Sequence, residues 1–345
     1  MNKVLLIIVV LLASVGLAAI LNFIIPLKSI QQTIVPPPPT PKPLLAYTFN
    51  SLKKDKFPEN QITFGDVTNE TTKSVSRMFY YDVPVRPGSS KMERVSGLAN
   101  IPKESGNYPI VVMFRGYVPP ETFRSGIGTQ PTANILSQNG FITLAPDFFN
   151  YGESATPSGV LFEDRFQTYT TALTLLSSLP TINKGLDKVY SGKITGDTSK
   201  IGIWGHSNGG HITLATLAIS GVTYPTVLWA PVSKSFPYSI LYYTDETDDQ
   251  GKDLRRALSG FEKVYNTDAF SPPLYYKWIK APIEINQGED DQEVPVWWSN
   301  DLVDTLKKDK LDVTYFTYPN SDHNLLPDGW SDAVNNTLDF YRRKL

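Results

Sequence analysis

From Tyr108 onward, short apolar runs alternate with stretches of helical periodicity, and no other feature restricts the fold of this chain so strongly. The runs are PIVVMFRG (109–116), FITLAPD (141–147), KIGIWGHS (200–207), PTVLWAPV (225–232), PIEINQG (282–288) and VTYFTYP (313–319). Near-continuous apolar runs suit strands covered on both faces, and helices between them carry the chain back so that the strands lie parallel. Helical patterns fall near 130–139, 161–178, 209–220, 295–308 and 330–344. Earlier segments, 61–67, 77–83 and 93–102, hold strand-favouring residues between turn-rich stretches and predict an antiparallel meander. The expected class is therefore α/β, with a mostly parallel central sheet, helices on both faces and antiparallel first strands. Residues 233–273 break the alternation and are rich in Tyr, Phe and Asp, which predicts a small lid insertion.

The amino-terminal segment has another composition. Val4–Ile25 contains no charged residue, and Lys3 and Lys28 flank it. That is long enough to cross a bilayer. A cleaved signal peptide has a shorter apolar core, about 7–15 residues, usually followed by a small-residue cleavage site. Residues 1–27 are thus expected to be a transmembrane anchor, with a signal segment as the alternative. The short flank before the apolar run favours export of the chain beyond it, so the expected location is membrane-anchored with the rest of the chain extracytoplasmic. Residues 28–43 include VPPPPTPKP, which cannot continue a helix and reads as a semi-rigid spacer. The remainder, 44–345, is expected to be one folded domain.

Composition narrows the chemistry. Lysines and arginines number 32 against 34 acidic residues, so no basic excess points to nucleic acid. The absence of cysteine removes disulfides, thiolate metal sites and a cysteine nucleophile. Three histidines, His206, His211 and His323, leave few candidates for any imidazole-dependent role.

Gly205-His206-Ser207-Asn208-Gly209 matches G-x-S-x-G, the turn that presents a serine hydroxyl between a strand and a helix. The bare pattern is weak, but Ile201-Gly202-Ile203-Trp204 runs directly into it and a helical stretch leaves it. A serine hydroxyl needs a neighbouring base to take its proton. His206 is adjacent to the serine and should point elsewhere, whereas His211 lies on the following helix and should pack or make a local hydrogen bond. His323, in a loop past the last expected strand, remains. An orienting carboxylate is then required, and Glu289, Asp290, Asp291 and Glu293 in GEDDQEVP all offer one. The chain order of serine, acid and histidine is that of α/β-hydrolases.

On these residues, the stretch from about Arg94 to Leu345 resembles the catalytic domain of the prolyl oligopeptidase family and its dienelactone-hydrolase and acyl-esterase relatives. IWGHSNGG (203–210), QGEDDQEVP (287–295) and SDH (321–323) carry the resemblance. It implies that Asp291 is the acid, with Asp290 as fallback, and that the oxyanion hole uses the backbone amides of Asn208 and Tyr117. The family's usual His-Gly is here Arg115-Gly116, so Arg115 is a candidate either to bind an acidic substrate group or to pair with a carboxylate such as Glu121. The β-propeller of larger relatives is not expected between Leu44 and Arg94, a stretch far too short for one.

The expected function is a serine hydrolase cleaving peptide, amide or ester bonds through an acyl-enzyme formed by Ser207, Asp291 and His323, without metal or organic cofactor. Its expected partners are a small-molecule ester or short peptide substrate, and the membrane. A carboxylesterase is the nearer alternative, and an inactive tethered binding protein the more distant one. The loop 147–154 is expected to be structural. The segment Tyr242–Asp249 is expected to be a solvated loop, with a cation-preferring pocket wall as the alternative. Oligomeric state is not encoded legibly.

Overall fold

The computed structural model describes residues 41–157, 159–244 and 247–345. The anchor expected at 1–27 and most of the spacer lie outside them. Among the described residues no helix is long and apolar enough to cross a membrane. Residues Lys42–Leu345 form one compact unit.

Among the described residues nine strands make one sheet: β1 (Thr63–Glu70), β2 (Ser74–Pro84), β3 (Met92–Pro102), β4 (Gly106–Phe114), β5 (Ile142–Pro146), β6 (Ile194–His206), β7 (Thr226–Trp229), β8 (Ile283–Gly288) and β9 (Val313–Tyr318). Their spatial order is β1-β2-β3-β5-β4-β6-β7-β8-β9. The first strands pair antiparallel, from β1 through β3 to β5. From β5 to β9 every pair is parallel. The sheet thus has an antiparallel flank and a parallel main body, the architecture of an α/β-hydrolase.

Alternation along β4 shows how the apolar runs are used. Ile110, Val112 and Phe114 enter one core, while Val111 and Met113 enter the other, with every one of these side chains buried. A strand covered on both sides cannot show a polar face, and this one does not. The helix Asn208–Ser220 is buried along nearly its whole length, from Gly209 to Ile219. It is apolar all round because it is packed all round.

The structure adds elements that periodicity had not exposed. Helix Ile182–Tyr190 carries Gly185 in its middle, a residue that argues against helix by propensity. A Cβ there would lie 2.4 Å from Ile62 O, so the glycine admits the chain leading into β1. Between β7 and β8, the stretch expected as a lid contains the helix Lys252–Glu262, with Leu258 and Phe261 buried. Near the start of the unit, Tyr47 donates its hydroxyl to Glu163 Oε1 at 3.1 Å, and Arg86 pairs with the same carboxylate through Nε and Nη2.

Candidate active site

Strand β6 ends at His206 and the helix begins at Asn208, so Ser207 alone makes the turn. Its φ of 56° and ψ of −123° place a non-glycine residue in a strained region, as a nucleophile elbow requires. The turn closes only because its neighbours lack side chains. A Cβ on Gly205 would sit 2.3 Å from Thr213 Oγ1, and one on Gly209 would sit 1.9 Å from Phe114 O. The chain leaving β4 therefore lies directly against the elbow. Gly116 passes beside the serine, where an added Cβ would be 3.1 Å from Ser207 Cβ and 3.5 Å from its Oγ.

His323 is presented by the loop after β9. Its Nδ1 lies 2.9 Å from Asp291 Oδ2, and both side chains are buried. The other oxygen of Asp291 accepts the backbone amides of Glu293 at 2.9 Å and Val294 at 2.8 Å. Gln287 Nε2 donates to Oδ2 at 3.0 Å. A carboxylate held this way can accept Nδ1–H of the imidazole, the arrangement in which Nε2 is the ring's available nitrogen. Of the four acidic candidates, Asp291 meets the imidazole ring at Nδ1, whereas Asp290 is exposed. Gly288 makes the approach possible, since a Cβ there would strike the carbonyl oxygens of Ser321 and Asp322 at 2.3 Å.

His206, expected only to turn aside, has a definite contact: its Nε2 donates to the backbone carbonyl of His323 at 3.0 Å. Burial, and secondarily the neighbouring imidazole of His323, lower its pKa to about 4, so it is neutral near pH 7 and supports the loop as a donor. Sequence had also passed over Gln287, which is held by Ser299 Oγ donating to its Oε1 at 2.7 Å. Both residues stand inside the motif stretches around the serine and the acid, yet their partners are remote in sequence. His211 packs on its helix with Nε2 2.6 Å from Tyr169 Oη.

The side chain of Tyr117 is 70% exposed, and with Asn208 it lines a cleft of about 270 Å³ that also touches Arg115, Tyr151, Arg165 and His211. Arg115 is buried. It donates to Gly116 O at 2.9 Å and Asp147 O at 3.2 Å, and its guanidinium lies 4.1 Å from the Tyr151 ring centroid and 4.6 Å from that of Phe123. Among the described residues it forms no ion pair with Glu121. Asp147, opening the loop expected to be structural, accepts from Ser96 Oγ and Ser125 Oγ, each at 2.6 Å.

Fold and sequence together define the class: the chain is a serine hydrolase with the α/β-hydrolase fold. Residues 178–345 match the model described as the prolyl oligopeptidase family, and residues 82–228 match the model described as chlorophyllase. The later part of the chain is thus similar to the prolyl oligopeptidase family. An uncharacterized peptidase, YtmA, of Bacillus subtilis is 26% identical over 68% of this chain and 83% of that protein. Probable dipeptidyl peptidase 4 of Aspergillus clavatus is 34% identical over 39% of this chain and only 17% of its own length. Among solved structures, the acetyl xylan esterase from Paenibacillus sp. R4 superposes with a TM-score of 0.55 at 17% identity, covering 86% of this chain and 92% of that one.

Proposed function

We propose that Ser207, His323 and Asp291 form an acyl-transfer triad that cleaves peptide-type amides of short peptides, with esters as accompanying substrates. The observation that carries this reading is the buried Asp291 carboxylate, fixed by two amides and Gln287 and set 2.9 Å from His323 Nδ1. His323 Nε2 takes the proton of Ser207 Oγ as that oxygen bonds to the substrate carbonyl carbon. The amides of Asn208 and Tyr117 stabilise the resulting oxyanion. Collapse of the tetrahedral adduct breaks the bond to the leaving group, which receives the proton from Nε2. Water, deprotonated by the same nitrogen, then releases the acid and restores the serine. The sequence requires no metal or cofactor for any step of this scheme.

The preference for amides rests on the prolyl oligopeptidase match and the peptidase relative. A hydrolysis panel on the full-length chain in detergent, comparing short nitrophenyl esters with aminoacyl and prolyl nitroanilides, tests it. The peptidase reading expects amide turnover within about tenfold of ester turnover. Turnover of esters alone assigns the protein as a carboxylesterase instead. We further propose that residues 1–27 tether the chain to a membrane, residues 28–43 space it away, and the catalytic unit faces outside the cytoplasm. Resistance of the chain to carbonate extraction and its digestion by protease added to intact cells are the expected results.

A further inference from the structure

We infer that Glu293 is a specificity carboxylate that receives a substrate ammonium group beside the reacting carbonyl, so that the preferred acyl groups are unblocked aminoacyl groups. This rests on the triad reading and adds the substrate class.

Glu293 Oε2 lies 3.6 Å from His323 Nε2, the nitrogen that must serve the serine and the leaving group. The side chain is 65% exposed, while its backbone amide is fixed by Asp291 Oδ1. One turn therefore sets both the acid behind the imidazole and a second carboxylate in front of it. At 3.6 Å the contact exceeds hydrogen-bond length, so the carboxylate is held near the reaction without being committed to the ring. No lysine or arginine pairs with Glu293 among the described residues.

Val294, the next residue, is buried in a small core with Trp298, and Tyr242 and Tyr243 pack against that core. The Tyr242 and Trp298 rings are 4.9 Å apart. Lys234 stands 4.1 Å over the exposed ring of Trp297 and is paired with Asp301, so it is not free to occupy the Glu293 carboxylate. The cleft beyond Asn208 is lined by Arg115 and Arg165 against the carboxylate of Asp164, a net positive lining that suits an ammonium less well than Glu293 does. An α-ammonium nitrogen stands about 2.5 Å from the carbonyl carbon of its own residue, within reach of a carboxylate beside Nε2.

The test compares wild type, Glu293→Gln and Glu293→Ala on alanyl nitroanilide and alanyl nitrophenyl ester, each with a free or an acetylated amine, with nitrophenyl butyrate as an uncharged control. The expected result is a loss of about fivefold or more in kcat/KM on the free-amine substrates, mostly as raised KM, for both variants. Acetylated substrates and the butyrate should stay within about twofold. Equal losses on every substrate would overturn the inference, since Glu293 would then act only through His323, and so would no loss at all. Wild-type turnover of the butyrate without any aminoacyl substrate would overturn it while leaving the hydrolase reading intact. An inert wild type on all substrates would end both.

Discussion

At the residue scale, the site depends on how one carboxylate is satisfied. Asp291 accepts from two backbone amides and Gln287 Nε2 and contacts His323 Nδ1, so its charge is fixed in place before substrate arrives. Asp291→Asn keeps the shape but presents an amide to Nδ1, selecting the wrong imidazole tautomer. It is expected to lower kcat about 10⁴-fold with a nearly unchanged thermal midpoint, as steady-state kinetics beside calorimetry would show. Glu284 tests a different physical effect. It is buried on β8 with one oxygen accepting from Asn286 Nδ2 at 3.0 Å and the other lacking any partner among the described residues. Burial raises its pKa from 4.5 to about 7. The folded chain therefore keeps a proton that the unfolded chain sheds, and the stability linked to it is whole below pH 4.5 and lost as pH rises through 7. Glu284→Gln should stabilise the protein by about 2–3 kcal/mol at pH 8 and show no such gain below pH about 4.5 in denaturant melts.

At the element scale, the elbow is made by close backbone approach. Gly209→Ala would drive a methyl into the Phe114 carbonyl at 1.9 Å, between two rigid strands' ends, and is expected to cost about 3 kcal/mol or more and to abolish activity. Gly221, ending the same helix at φ +67° with open space around it, is the control. Gly221→Ala should cost only about 1 kcal/mol, with activity retained. Both can be followed by urea melts and ester turnover. These strands and helices were legible wherever periodicity was unbroken: the six apolar runs became β4 to β9, and the helices near 130–139, 209–220 and 330–344 lie within a residue or two of their expected spans. Helix Ile182–Tyr190 was not legible because its central glycine serves a contact with Ile62, which no local pattern encodes. The serine was legible from its turn. The His206 support under His323 was not, since residues 206 and 323 become neighbours only when β6 and the loop after β9 are brought together by the sheet.

At the scale of the whole molecule, the catalytic unit is closed by its own first residues. Leu44, Tyr47 and Phe49 are buried in the main core, and the Tyr47 hydroxyl and Arg86 satisfy the Glu163 carboxylate at the start of a nearly buried helix. A chain begun at Ser51 would strip that carboxylate of the Tyr47 hydroxyl, leaving Arg86 and the Val160 amide, and would empty two aromatic sites, so it should melt with a loss of about 3 kcal/mol or more relative to one begun at Lys42. The spatial order of the strands places the loops after β4, β6, β8 and β9 at one end of the parallel body, and all the proposed functional groups come from those loops. The central claim is that this convergence turns one serine into a nucleophile. It is tested most directly by treating the full-length chain with a fluorophosphonate and mapping the adduct by mass spectrometry. A single adduct on Ser207, slowed strongly by His323→Ala and absent from Ser207→Ala, is the predicted result, whereas an unlabelled but folded chain, or an adduct on another residue, would contradict it.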